Sequence, residues 1–229
     1  MNTLLLRLEG PLQSWGLRAR WEERDSAFEP TKTGVVGLLG CALGLRRDDD
    51  RLRAISEALE MGVRVDRPGA PLVDYHTTGG AKGPDGAPEG MLNAEGRLKR
   101  ETDVSKRVYL MDASFLVALR GPNELIAELA AALGSPVWPV FLGRKACVPT
   151  CPVYAGVAEH DSVRAALLAQ PFPERRSVRL VLEAPIGQGT PRNDAIGVPA
   201  RRLFWPRAAS EEYWTPPDDT SVTIDTLEG

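Results

Sequence analysis

The chain has 229 residues, of which 43% are hydrophobic and 26% are charged, and these proportions are ordinary for a globular protein. No apolar run reaches the roughly 20 residues of a membrane-spanning helix, and Arg7 and Glu9 interrupt the apolar start too early for a signal peptide. The composition thus argues against a membrane protein and favours the cytoplasm. Three cysteines without regular spacing predict free thiols, because disulfide scaffolds are short and rich in cysteine.

The net charge of −3 argues by itself against a nucleic-acid partner, because phosphates are bound by clustered Lys and Arg. The acidic tail predicted at 208–229 has six acidic residues and no Lys or Arg, so the rest of the chain carries +3. Within that rest, 97–107 holds five basic residues against Glu101 and Asp103. Such a segment is either a solvated charged face or a surface for a polyanion.

The first part of the chain predicts a strand, two helices and a second strand. The aliphatic run at 2–9 ends at a Gly-Pro turn, and an apolar run of helical length follows Thr31. A second, amphipathic helix over 51–62 is predicted to end at Gly62, and 63–66 is predicted as a strand.

The middle of the chain predicts a long insertion. Residues 68–106 are rich in Gly and Pro with little apolar periodicity, and such loops are usually functional or disordered. Alternation returns at 108–119, a helix follows over 121–134, and 137–142 is predicted as an edge or bulged strand because it contains Pro139. The order β-α-β-insert-β-α-β is the split pattern of ferredoxin-like and RNA-recognition folds, so the predicted fold class is α+β.

The last part of the chain carries no readable function. It predicts a short helix at 162–170 and a strand at 177–184, followed by aromatic-rich pieces. The total length exceeds one average domain and falls short of two, which predicts a main domain over 1–150 and a smaller region over 151–229.

A first candidate anion site is the start of the buried helix. Thr31, Lys32 and Thr33 stand where free backbone N–H groups and the helix dipole favour negative charge. Simple capping by threonine is the alternative. The chain has no P-loop motif, so nucleotide hydrolysis has no support.

Two further basic motifs are candidates for nucleic-acid contacts. Arg100 and Arg107 lead into Tyr109, and RNA is bound by cations for its phosphates and aromatic rings for its bases. Arg144 and Lys145 follow Gly143, which allows a tight turn to present both cations, although an ordinary surface turn has the same pattern.

Metal and catalytic sites have weaker support. Cys147 and Cys151 have no matching downstream pair, and His160 lies nine residues further on, so we expect neither a metal nor another cofactor. His76 follows Tyr75 within the insertion and is the one histidine placed to act as a general base on RNA. A hydrogen-bonding loop histidine is the alternative.

Four motifs in order resemble a known family: LLLRLEGPLQSWG, EPTKTGVVGLLGCALG, RETDVSKRVYLMDASFLVAL and PVFLGRKACVP. They resemble the type I-E branch of the CRISPR-associated protein 5 family, within the RAMP superfamily, over about residues 4–150. The resemblance implies a ferredoxin-like or RNA-recognition-like domain with a long β-hairpin thumb at about 70–107 and a small β-rich C-terminal appendage.

The resemblance also implies partners and a role. Members of this branch hook the 5′ handle of the guide RNA and cap one end of the Cascade backbone. The implied partners are the guide RNA, the Cascade backbone subunits, the Cascade large subunit that reads the target's flanking motif and, indirectly, the target DNA, with no membrane. We expect a non-catalytic subunit. The alternatives are a metal-independent endoribonuclease, as in the type I-C branch, and a cap that serves assembly alone.

Matching positions assign expected RNA contacts to the motifs. The resemblance implies an RNA-facing loop at Gln13, Ser14 and Trp15 and a phosphate site at Lys32 and Thr33. It places the base of the thumb at Arg100, Arg107 and Tyr109. It also implies RNA contacts on the glycine turn, at Arg144 and Lys145.

Overall fold

A computed structural model of the chain describes residues 1–17, 22–79, 85–86, 90–92, 95–99, 101–172 and 176–215. The strands are β1 (Asn2–Glu9), β2 (Leu12–Gln13), β3 (Glu23–Arg24), β4 (Glu60–Arg67), β5 (Ala70–Thr78), β6 (Met91–Leu92), β7 (Leu98–Lys99), β8 (Asp103–Met111), β9 (Ser114–Gly121), β10 (Tyr154–Glu159), β11 (Val178–Ala184), β12 (Thr190–Val198) and β13 (Leu203–Trp214). The α-helices are α1 (Lys32–Ala42), α2 (Arg51–Ala58), α3 (Asn123–Gly134) and α4 (Val163–Leu168). Among the described residues, no helix is both long and apolar enough to cross a membrane.

The main sheet has seven strands in the order β10-β1-β9-β4-β11-β13-β12. Every neighbouring pair in it is antiparallel. Strand β9 therefore lies between β1 and β4, which run in the same direction and are connected through α1 and α2. In the same way, β1 lies between β9 and β10, which are connected through α3. The fold is α+β, as predicted, and mostly antiparallel.

The sheet continues without interruption past residue 150. Strand β10 adds to one edge, and β11, β13 and β12 add to the other. The predicted acidic tail at 208–229 therefore needs correction, because Ala208 to Trp214 belong to β13 and Ala209 is fully buried. Only residues 216–229 lie outside the described part of the chain at this end.

The two faces of the main sheet pack against different helices. Alternate residues of β1, such as Leu4 and Leu6, enter the large core beneath α1, α2 and α3. Leu5 points to the opposite face and packs with α4, as Leu116 does. The alternation of the strand thus buries both of its faces, which explains why its sequence is almost continuously aliphatic.

Two sequence predictions of secondary structure are wrong. Helix α2 ends at Ala58, and Gly62 lies within β4, where a Cβ atom would come within 3.1 Å of Leu167 and Leu182 side-chain atoms. Residues 137–142 do not form a strand. Their first backbone N–H groups are used to cap α1, since Val137 N donates to the Ala42 carbonyl at 2.9 Å.

A β-hairpin leaves the main sheet between β4 and β9. Its strands β5 and β8 pair from Ala70 opposite Met111 to Thr78 opposite Asp103. The other edge of β8 pairs with β2 in antiparallel fashion and with β3 in parallel. The predicted basic segment therefore ends in β8, while Arg100 lies outside the described residues.

Candidate nucleic-acid interface

The loop predicted to face RNA is buried against the protein itself. The Gln13 side chain is fully buried, and its Nε2 atom donates to the carbonyls of Leu8 at 3.1 Å and Ala113 at 2.8 Å. Its Oε1 atom accepts from Trp15 Nε1 at 3.1 Å, and the Trp15 ring is also fully buried. These side chains hold the loop on the core and leave no polar atom facing outward. The structure therefore revises their expected role from RNA contact to support of the loop.

Ser14 fixes the position of the glycine turn that follows α3. Its N–H donates to the Leu142 carbonyl at 3.1 Å, and its Oγ donates to the Val108 carbonyl at 3.2 Å. Gly143 has φ +89°, and a Cβ atom there would lie 1.7 Å from the Ser14 carbonyl oxygen. No other residue type fits this contact, so the glycine sets where Arg144 begins.

The start of α1 is occupied by carboxylates of the C-terminal strands. Thr31 caps the helix, with its Oγ1 accepting from Gly34 N at 3.2 Å. Lys32 N donates to Asp194 Oδ2 at 2.9 Å, and Lys32 Nζ lies 2.9 Å from Glu183 Oε1.

Thr33 does not face outward either. Its Oγ1 donates to the Asp194 carbonyl. Asp194 in turn accepts from Arg207 at 2.6 and 3.0 Å. The protein's own carboxylates and a carbonyl therefore occupy the positions where the sequence predicts an anion at Lys32 and Thr33.

Three arginines come together at the base of the hairpin, and we call Arg24, Arg107 and Arg144 the basic cluster. Arg24 in β3 and Arg107 in β8 are register partners, which places their side chains on the same face. Burial, together with the nearby charges of Arg107 and Arg144, lowers the pKa of Arg24. Guanidinium groups stay charged at physiological pH, so this gathering favours an anion.

Arg144 lies at the centre of the cluster. Its Nη1 atom donates to the Val108 carbonyl at 3.0 Å, and its Nη2 atom donates to the Arg24 carbonyl at 2.9 Å. Its guanidinium also stands 4.5 Å from the centre of the Tyr109 ring, and Tyr109 is only 8% exposed. Tyr109 therefore supports an arginine and does not present a stacking face to a base.

The hairpin has a polar face and a mixed face. Arg107 shares the polar face with Ser105 and His76, and its Nε atom donates to Ser105 Oγ at 3.3 Å. On the opposite face, Tyr75 is 68% exposed and lies across from Lys106. The exposed aromatic ring of this region is thus Tyr75.

Two of these residues, Arg24 and Tyr75, are not among the RNA contacts expected from the sequence. Arg24 stands among mixed charges at 22–26, and a parallel pairing of two residues leaves no periodic signal. The signal for Tyr75 is its place two residues from Val73 in an alternating strand, which marks both residues as lying on one face.

Lys145 differs from Arg144 in its surroundings. Its side chain is exposed. Burial raises the pKa of the Cys41 thiol, and the nearby charge of Lys145 opposes that shift. Cys147, two residues after Lys145, is fully buried, and burial raises the pKa of its thiol as well.

No metal centre is apparent in the part of the chain that the structure describes, since no three His, Cys, Asp or Glu side chains are grouped there. All three cysteines are free thiols, as predicted. His76 Nδ1 lies 3.4 Å from Asp74 Oδ2 on the polar face of the hairpin.

Comparison with known proteins identifies the family. The sequence model of a family described as CRISPR-associated protein (Cas_Cas5) matches residues 3–214. The chain is 36% identical to the CRISPR system Cascade subunit CasD of Escherichia coli (strain K12), over 72% of this chain and 75% of that protein.

Solved structures agree with the sequence comparison. A chain of a CRISPR RNA-guided surveillance complex matches with a TM-score of 0.79 and 35% identity, covering 94% of this chain and 91% of that one. A chain described as the crystal structure of a Cas protein matches with a TM-score of 0.69 and 36% identity, covering 93% and 95%. Because the family match spans nearly the whole chain, this protein belongs to the CRISPR-associated protein 5 family.

Proposed function

We propose that this chain is the subunit of a Cascade surveillance complex that holds the 5′ handle of the guide RNA in the cytoplasm. The observation that carries the proposal is the basic cluster on the projecting hairpin, in which Arg24 and Arg107 are register partners and Arg144 donates to the Arg24 carbonyl. The similarity of the chain to a Cascade subunit and to a chain of an RNA-guided complex supports the same assignment.

The proposed fold assignment is a ferredoxin-like, RNA-recognition-like unit with a thumb. Strands β1, β4, β9 and β10 follow one another along the chain as first to fourth, and their order in the sheet is fourth, first, third, second. This order, with helices in both crossovers, supports the split βαβ pattern. The β5–β8 hairpin is inserted between the second and third of these strands, where the thumb is expected.

Phosphates of a single-stranded handle would bind Arg24 and Arg107 on the polar face of the hairpin. A base would stack on Tyr75 on the other face, beside Lys106. Cations for the backbone and an exposed ring for a base are what recognition of unpaired RNA requires. A single strand of RNA that passes around the hairpin contacts both of its faces.

The chain acts without cleaving RNA in this proposal. General acid–base cleavage needs groups that take and give protons at the same phosphate. His76 lies in the hairpin, but His160, the only other histidine, follows β10, whose last residue Glu159 pairs with Asn2. The hairpin leaves the sheet at the opposite end, near Ser114. The two imidazoles thus cannot serve one phosphate.

The proposed protein partners are the backbone and large subunits of Cascade. The hairpin offers an apolar surface suited to a protein, with Val73 60% and Val104 40% exposed on the same face as Tyr75. Large exposed apolar groups on one face are typical of interaction surfaces.

The proposal is tested by purifying the complex that forms around the full chain in the presence of its repeat array. Arg24→Ala with Arg107→Ala should reduce the guide RNA recovered per copy of the chain about tenfold. The control is Arg46→Ala with Arg47→Ala, which removes the same charge from an exposed loop and should recover wild-type amounts. Equal recovery from both double variants would contradict the proposal.

Cleavage is tested separately with purified protein and repeat RNA in chelator. The proposal expects intact RNA. Specific cuts that disappear in His76→Ala would instead establish the endoribonuclease alternative.

A further inference from the structure

Most of the hydrogen-bonding capacity of Arg144 is directed inward. Its two terminal nitrogens donate to main-chain carbonyls of Val108 and Arg24, and the second nitrogen also lies 3.5 Å from the carbonyl of Asp25. The planar group stacks over Tyr109 at 4.5 Å. A side chain held by three carbonyls and a ring has little freedom to follow a ligand.

These carbonyls belong to the two strands that carry the other arginines of the cluster. Val108 is the neighbour of Arg107 in β8, and Arg24 is the end of β3. Arg144 therefore joins β3, β8 and the glycine turn in one planar contact.

The ladder that the described residues of β3 form with β8 is short. It has only two residues paired with β8, and Lys106 N donates to the Glu22 carbonyl at 2.8 Å. The register places Arg24 beside Arg107, where like charges repel. The pairing that brings two cations together is thus short, and the two charges within it repel.

We propose that Arg144 is a positioning residue, which holds Arg24 and Arg107 in register through the carbonyls of Arg24 and Val108. This inference rests on the proposed function, in which Arg24 and Arg107 bind the handle. It reassigns Arg144 from an expected phosphate contact to the support of two such contacts.

The guanidinium fork, and not the charge alone, is required for this role. Two nitrogens of one rigid plane reach carbonyls on two strands, and a lysine has one ammonium on a flexible stem. Arg144→Lys keeps the charge and loses the bridge. A phosphate contact would largely survive that substitution, since lysine binds phosphate as a point charge.

The experiment measures the affinity of the full chain for a handle RNA by fluorescence anisotropy. Arg144→Lys should weaken binding about tenfold, the effect expected for losing a well-placed arginine. Arg46→Lys, the same substitution in an exposed loop, should bind like the wild type. Binding of Arg144→Lys within twofold of the wild type would overturn the inference.

A double-mutant cycle separates positioning from an independent contact. If Arg144 acts through Arg24, Arg144→Lys should cost much less in an Arg24→Ala background than alone. Equal losses in both backgrounds would overturn the inference.

Hydrogen exchange provides a readout in the free protein, without RNA. The Lys106 amide should exchange faster in Arg144→Lys, because the β3–β8 contact opens, while amides of β1 keep their protection. Unchanged exchange at Lys106 contradicts the positioning role. If Arg24→Ala and Arg107→Ala themselves leave RNA binding unchanged, the proposed function fails instead, so the two failures are distinguishable.

Discussion

Lys32 Nζ lies 2.9 Å and 3.0 Å from the two carboxylate oxygens of Glu183, and Lys32 is only 4% exposed. This contact joins the first residue of α1 to β11, a strand of the C-terminal region. A lysine that the sequence marks as a phosphate ligand is therefore an internal partner of a carboxylate. The C-terminal strands, which have no readable function in the sequence, complete the start of α1.

Replacing Lys32 should affect stability and not RNA binding. Lys32→Met leaves Glu183 without its cation, and breaking a buried pair from one side costs about 3 kcal/mol. Urea unfolding measures this loss, and handle affinity should stay within twofold of the wild type. Glu57→Gln, which breaks the exposed pair with Arg53, should cost less than about 0.5 kcal/mol. Loss of RNA affinity in a stably folded Lys32→Met would support the phosphate role instead.

A ring of four charges fixes the segment that precedes α1. Glu29 accepts from Arg179 at 2.9 Å and from Arg192, and both arginines also bind Glu211, at 3.1 and 2.8 Å. Burial lowers the pKa of Arg179, but the two carboxylates offset this effect and raise it overall. The ring links the chain that leads from Arg24 to three C-terminal strands.

Opening this ring should lower stability. Glu29→Gln should reduce the free energy of unfolding by about 2 kcal/mol, since each arginine keeps Glu211 as a partner. The matched control is Glu128→Gln, which removes the exposed partner of Arg51 and should change stability by less than about 0.5 kcal/mol. Equal stability of the two variants by urea unfolding would show that the ring contributes nothing.

Gly143 and Gly37 form a matched pair for substitution by alanine. A Cβ atom at Gly143 would overlap the Ser14 carbonyl at a positive φ, whereas a Cβ atom at Gly37 in α1 meets nothing within 4 Å. Gly143→Ala should lower the melting temperature and the RNA affinity together, because it displaces the turn that carries Arg144. Gly37→Ala should stabilise the protein by up to about 1 kcal/mol. A Gly143→Ala variant with wild-type melting and binding would refute the assigned turn geometry.

Patterns of neighbouring residues in the sequence predicted the strands and helices that depend mainly on neighbouring residues. Strand β1 and helices α1 and α3 follow from aliphatic runs, periodicity and the Thr31 cap, so their sequence positions agree closely with the structure. The burial of Gln13 could not be predicted in this way. Its amide is satisfied by the carbonyl of Ala113, which lies 100 positions away, and polarity alone favours an exposed residue.

The sequence marks where the basic cluster forms but does not show what each of its residues contacts. The basic residues near Arg107 and Arg144 lie in the two segments that carry most of the cluster. Their roles depend on which carbonyls lie beside them, and that is decided by the short β3–β8 pairing. A two-residue parallel pair has no signature in sequence, so Arg24 could not be included.

The acidic C terminus is best tested by a truncation that respects β13. Ending the chain after Thr215 removes Asp218, Asp219, Asp225 and Glu228, which changes the net charge from −3 to +1. This variant should keep its fold, and its RNA affinity should rise at low salt and converge with the wild type at high salt. Ending the chain before Ala208 removes Ala208 to Trp214, the part of β13 that pairs with β11, and should unfold the chain. If the chain that ends after Thr215 has the RNA affinity of the wild type at all salt concentrations, the tail has no electrostatic role.

The salt dependence of handle binding tests the central claim most directly. Each phosphate contact to single-stranded RNA contributes about 0.7 to the slope of log affinity against log salt. If the basic cluster binds the handle, Arg24→Ala with Arg107→Ala should reduce the slope by about 1.4, and Arg46→Ala with Arg47→Ala should leave it unchanged. A slope for the first double variant that equals that of the wild type would contradict RNA binding at the basic cluster.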